Sequence, residues 1–147
     1  MAAIIERYDR TRHDPGVVKS LLAMAVGRPT LDKLAYLVDV FYASECRSIF
    51  IMTRNGRVTA IIGVDHTDRS YGFITHLAVL PDTRKKGLAS RLIKHVATAL
   101  ELEEIGAESE QDAVGFYSAC GFQTREIKSP CLGVHRFRCI KSITRSI

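Results

Sequence analysis

The chain has 147 residues, 46% of them apolar and 25% charged, the usage of an ordinary globular domain and not of a disordered chain. Its formal net charge is +5, from 21 Lys and Arg against 16 Asp and Glu; that favours anionic partners without choosing among nucleotide, nucleic acid and acidic substrate. No apolar run approaches the ~20 residues of a membrane span, and the opening residues lack the basic start and long apolar stretch of a secretory signal.

One cytoplasmic domain over residues 1–147 is therefore expected. Cys46, Cys120, Cys131 and Cys139 show no C-x-x-C spacing. They read as reduced thiols, mostly core residues, and no metal site is expected.

In chain order, residues 2–8 read as a strand. Asp14 before Pro15 starts a helix, a capping side chain followed by proline at the first helical position. Val17, Val18, Leu21, Leu22 and Ala25 recur at helical spacing, and Gly27 ends the run. Thr30 caps a second helix that carries Leu31, Leu34, Leu37, Val38 and Phe41 on one face. Residues 49–53 and 58–64 are strand-like and flank Asn55-Gly56, a strong hairpin signal because both residues tolerate positive φ. Residues 71–80 are apolar on both faces, as a central strand should be, and Pro81 stops them. Leu88, Leu92, Ile93, Val96 and Leu100 mark an amphipathic helix. Then come a short strand at 105–107, a short helix at 112–119, and strands at 122–127 and 134–140. The order strand, two helices, three strands, helix, strand, helix, two strands predicts an α/β (α+β) fold around a mixed sheet.

The chemistry concentrates where the central strand meets the third helix. The loop Asp82-Thr83-Arg84-Lys85-Lys86-Gly87 opens into Leu88-Ala89-Ser90. A helix start exposes unpaired N–H groups that suit a phosphate. Gly87, without Cβ, lets backbone approach a ligand, and Arg84, Lys85 and Lys86 supply neutralising charge. A plain solvated connection is the alternative, and no Walker loop is present, since the G-K-[ST] ending is missing. The second stretch is Phe116-Tyr117 on the short helix with Gly121-Phe122 after it, which on its own reads as core packing.

Taken together, the two stretches resemble the GNAT N-acetyltransferase superfamily. Its pattern L-A-V-x-P, then R-x-x-G-x-[GA], then N-x-x-A-x-x-F-Y-x-x-x-G-F appears as Leu77-Ala78-Val79-Leu80-Pro81, as Arg84 to Ala89, and as Ala113 with Phe116-Tyr117 and Gly121-Phe122. The resemblance implies a central mixed sheet with a splayed parallel strand pair flanked by helices, and transfer of acetyl from acetyl-CoA to an amine. Main-chain groups of Leu77, Ala78 and Val79 would contact pantetheine, and the pyrophosphate would sit on the amides from Arg84 to Ala89, with Ser90 and Phe116 nearby. Tyr117 would protonate the departing thiolate, and the N–H near Val79 would polarise the thioester carbonyl. The family asparagine corresponds here to Glu110, which lacks amide donors.

For the general base, His76, His66, Asp65 and Glu108 are candidates. Strand parity sets Phe73, Thr75, Leu77 and Val79 on one face and His76 on the other, which favours a structural role for His76. Glu108, at the end of its short strand, is the preferred catalytic carboxylate, unless water serves. The acceptor is an amine of a small molecule or a protein, with residues 9–50 roofing its side, and a homodimer is left open. A non-catalytic acetyl-CoA-binding module is the alternative; a nucleic-acid domain would need a basic, aromatic-interleaved stripe that 7% aromatics do not supply.

Overall fold

A computed structural model describes residues 3–84 and 87–143. The elements are β1 (Ile4–Arg7), α1 (Pro15–Ala25), α2 (Leu31–Asp39), β2 (Arg47–Arg54), β3 (Arg57–Asp65), β4 (Tyr71–Val79), α3 (Leu88–Ala99), β5 (Glu104–Glu110), α4 (Gln111–Ala119), β6 (Gln123–Ile127) and β7 (Arg136–Ser142). One-turn 3-10 helices at Phe41–Ala43 and Pro81–Thr83 complete the set. The expected order of strands and helices is the observed one.

The caps act as the sequence predicts. Asp14 Oδ1 accepts from the Gly16 N–H at 2.9 Å, and Thr30 Oγ1 from the Lys33 N–H at 3.1 Å, each satisfying a donor the helix cannot. Asn55 and Gly56 both adopt positive φ, 52° and 77°, which joins β2 to β3 through a tight turn. Two expectations fail locally. Leu31, placed on the buried face of α2, is 86% exposed at the first position of that helix. Phe41 is not part of α2: the helix ends at Asp39, and the following turn brings Phe41 and Tyr42 down towards β4.

The seven strands lie in the order β1-β2-β3-β4-β5-β7-β6. Only β4 and β5 run parallel, as a strand–helix–strand crossover through α3 requires. Strand β5 is longer than the expected 105–107: β7 pairs it along all seven residues, so Glu108 and Glu110 are strand residues facing solvent. Two cores lie on the two faces. Leu92, Ile93 and Val96 of α3 pack on Phe50, Ile62, Ile74 and Ile105, while Val18, Leu21 and Leu22 of α1 with Leu37 of α2 pack on Ile49, Ile51 and Ile61.

Strand β4 is where the regular pattern breaks. Its pairing with β3 shifts by one residue between Gly63 and Val64, leaving Thr75 as the extra residue of a bulge. Ile74 packs in the core beneath α3, and so do Leu77 and Val79. The simple alternation expected along this strand is therefore inverted at Thr75. Its pairing with β5 also stops early: only Tyr71, Gly72 and Phe73 have partners, Glu104, Ile105 and Gly106. Beyond Phe73 the two strands separate.

Candidate active site

The gap that opens between β4 and β5 is lined on one side by main-chain groups. The Leu80 N–H donates to the Thr59 carbonyl at 2.9 Å. Bonded and non-bonded pairs alternate along an antiparallel ladder, so Val79, opposite Ala60, and Leu77, opposite Ile62, turn their N–H and C=O away from β3 and towards the gap. Ala78 is bonded back to β3 at Ile61 by the same alternation. It lines the groove without offering main-chain groups, which divides the three contacts expected from the sequence. The Val79 carbonyl accepts from Arg84 Nε at 3.0 Å, and the Val79 N–H stays directed at the gap.

The gap continues into a groove of about 830 Å³. Its floor and one wall are Leu77, Ala78 and Val79; Arg84, Gly87, Leu88, Ala89 and Ser90 form the far end; Phe116 and Tyr117 of α4 form the other wall. Lys85 and Lys86 lie outside the described residues. Gly87 caps α3 in the left-handed region, with φ at 72°, where glycine costs least. Among the described residues, a Cβ built on it meets nothing within 4 Å. The start of α3, without a side-chain cap, lines the groove, where a helix N-terminus suits an anion. Met24, Thr83, Asp112, Ala113 and Cys120 also line the groove and were not anticipated. Met24 had one signal, an apolar side chain on the outer side of α1; the others sit inside the recognised motifs but carry no chemistry that singles them out.

Tyr117 is 8% exposed. Its ring contacts Phe116 and Phe122 edge to face, with centroids 5.0 and 5.2 Å away. Burial pushes its hydroxyl up to about 12, with the Cys139 and Cys120 thiols adding to the shift. It is therefore a protonated phenol throughout the working pH range. Burial also raises the Cys120 thiol, against the Ser90 hydrogen bond and Lys141. A thiolate formed in this groove is thus more basic than in water, which narrows the gap to a phenol of raised pKa.

The sequence profile of the acetyltransferase (GNAT) domain matches residues 45–124. The chain belongs to this family. It is an acetyl-CoA-dependent N-acetyltransferase, with acetyl-CoA as co-substrate. Solved structures share the fold at low identity. An aminoglycoside 6'-N-acetyltransferase complexed with coenzyme A superposes with a TM-score of 0.81, at 14% identity, covering 98% of this chain and 99% of that one. A GNAT-family acetyltransferase from Desulfovibrio desulfuricans gives 0.77 at 16% identity, covering 96% and 99%. The ribosomal-protein-S18-alanine N-acetyltransferase from Escherichia coli gives 0.72 at 19%, covering 99% and 96%. No curated protein sequence matches the chain.

Within this GNAT fold the two glutamates expected at the site lie apart from the groove. Glu110 is the N-cap of α4, is exposed, and makes no capping hydrogen bond. Glu108 is in mid-strand on the exposed face of β5, 3.7 Å from Arg136, and does not line the groove. The expectation had put Glu108 at a strand end; the full-length pairing with β7 moves that end beyond it. His66 is engaged with Ser48, Oγ to Nε2 at 2.8 Å, and Asp65 with Arg47 and Thr67. His76 follows the last β4 residue paired with β5, and its Nδ1 is bonded to the Tyr42 hydroxyl. A second cavity of about 460 Å³ lies by the end of β1 and the turn after α2, lined by residues that include Arg7, Tyr8, Arg12 and Tyr42. Among the described residues no group of His, Cys, Asp and Glu could hold a metal, and no helix is long and apolar enough to cross a membrane.

Proposed function

We propose that this GNAT domain, filling residues 1–147 and working in the cytoplasm, moves acetyl from acetyl-CoA to an amine by direct attack in a ternary complex. The observation that carries the reading is the conjunction in one groove of gap-facing main chain at Leu77 and Val79, the open helix start at Gly87, and the buried phenol of Tyr117. Acetyl-CoA, when bound, supplies an acyl carbon activated as a thioester. The N–H and C=O of Leu77 hold the pantetheine arm as an added strand would be held. The amides from Gly87 to Ser90 and the Arg84 guanidinium receive the pyrophosphate, with Lys85 and Lys86 adding charge. The Val79 N–H polarises the thioester carbonyl. The amine's nitrogen forms the new C–N bond as the C–S bond breaks, its surplus proton passing to a base or to water, while Tyr117 gives its proton to the leaving sulfur and regains one from solvent.

The acceptor is an amine of a small molecule or of a protein. Fold relatives named for an aminoglycoside and for a ribosomal-protein alanine span that range. Residues 9–50 are proposed to roof its side. Glu108 is not retained as the base, because its carboxylate is 3.7 Å from the Arg136 guanidinium on the exposed face of β5. Glu110 is not retained as a cofactor contact.

The test is a panel of amines, amino acids, peptide N-termini and lysine peptides, offered with acetyl-CoA and followed by release of free thiol. At least one class should give product carrying one acetyl group. Tight acetyl-CoA binding with no thiol release above hydrolysis, over the whole panel, would mark a binding module and not an enzyme.

A further inference from the structure

Tyr42 occupies the space that a side chain at position 63 would need: a Cβ on Gly63 would stand 1.8 Å from the tyrosine oxygen. From that seat the hydroxyl reaches two consecutive residues of β4, Thr75 Oγ1 at 2.5 Å and His76 Nδ1. Consecutive strand residues normally point to opposite faces. Here the bulge at Thr75 turns both to one atom, the kind of re-aiming that bulges accomplish. The bulge falls just after Phe73, the last β4 residue paired with β5, and just before Leu77, the first to line the groove. His76 therefore belongs to the segment of β4 that has parted from β5, next in sequence to the groove residue Leu77, with its ring on the α2 side of the sheet against Tyr42 and Phe41.

The hydrogen bonds fit a ring whose Nε2 is bare. If Nδ1–H donates to the Tyr42 oxygen, Tyr42 can donate onward to Thr75 Oγ1, and all three groups are satisfied. This arrangement is unchanged when the other nitrogen gains a proton. The reverse, with Tyr42 donating to Nδ1, would have to break on protonation. Nε2 has no hydrogen-bond partner among the described residues.

We propose that His76 is the general base of this acetyltransferase, its Nε2 taking the proton of the acceptor amine while Tyr42 and Thr75 hold the ring. The inference rests on the transferase reading above. The amine's proton passes to Nε2 as C–N forms and C–S breaks; Tyr117 protonates the sulfur; His76 then releases its proton to water and Tyr117 regains one. Burial holds the imidazole below its usual range, so it is a free base at neutral pH. The charged groups nearest this cluster are Arg47 and Asp65, 3.5 Å apart beside Tyr42.

Propylamine is the probe, since it carries no recognition group and needs no acceptor pocket. His76→Asn keeps a polar atom for Tyr42 and removes Nε2; His76→Gln is made alongside in case one variant folds poorly. The quantity read is the wild-type rate divided by the variant rate, which cancels the titration of propylamine itself. It should be about 10²-fold or more at pH 8 and fall towards one at acid pH as His76 gains its proton, while acetyl-CoA affinity stays within about threefold. A ratio near one, or one that does not change with pH, overturns the proposal. So does a wild-type protein labelled with ¹⁵N at histidine whose His76 resonances show the proton on Nε2. Where propylamine gives no acceleration over buffer, the same ratio is read with the amine that the panel identifies; a panel silent throughout would defeat the transferase reading, and this inference with it.

Discussion

Tyr117 and Tyr42 are the two buried phenols that bear on the chemistry, and their surroundings separate their roles. Tyr117 lines the groove among Phe116, Phe122 and Cys120, while Tyr42 gives its hydroxyl to Thr75 and His76. Tyr117→Phe keeps the packing and removes the proton. We expect kcat and kcat/KM to fall equally, by about 10²–10⁴-fold, with acetyl-CoA affinity unchanged by calorimetry. The pH profile should show no fall on the basic side from Tyr117 until pH approaches its value of about 12, since the acid form is the active one. A variant that turns over at the wild-type rate would return Tyr117 to a packing role. Tyr117 was visible in the sequence only because it sits in a motif with fixed neighbours. Tyr42 was not: it lies 33 residues before Thr75, in a turn whose course depends on where α2 ends. No local pattern shows that Gly63 leaves room for it.

At the scale of elements, the site depends on two glycines for opposite reasons. Gly87 is needed for its backbone: its φ of 72° disfavours a side chain, and the space around it is open towards the groove. Gly87→Val places a branched side chain in the left-handed region, at a cost of order 1–2 kcal/mol, and projects it where the pyrophosphate would lie. Titration calorimetry should show acetyl-CoA binding weakened at least about tenfold, and a folded variant that binds normally would remove the phosphate from that loop. Gly63 is needed for the absence of its side chain. Gly63→Ala must displace Tyr42, so stability should fall by roughly 1–3 kcal/mol, the usual cost of overpacking, read as a lower urea midpoint at constant slope. The strand and helix order was legible because caps, the Asn55-Gly56 turn and apolar periodicity are local signals. The bulge at Thr75 and the length of β5 were not. The bulge is set by β3 and the length of β5 by β7, strands whose register cannot be read from β4 or β5 alone.

At the scale of the molecule, one sheet carries a core on each face, and polar groups with shifted protonation sit around both. His76 and His66 have pKa values below 6.5, each chiefly through burial, with Arg7 adding to the shift of His66. The unfolded chain gives both histidines their ordinary affinity for protons, so between pH 6.5 and the lower folded values it binds more protons than the native state does. Stability therefore rises with pH across that window and is lost as pH falls through it. The carboxylates act in the same direction at lower pH. Asp9 is held below 3.8 by the Thr11 hydroxyl and N–H, and Asp68 by the N–H and hydroxyl of Ser70; their contribution persists above 3.8 and disappears below it. Acid unfolding should thus come in two stages, a first decline beginning near pH 6.5 and a second below about pH 4. Urea midpoints measured at half-unit steps from pH 8 to pH 3 give the curve. The double variant His66→Gln, His76→Gln should flatten the first stage and leave the second, whatever its absolute stability. A first stage that survives the double substitution would remove His66 and His76 as its origin.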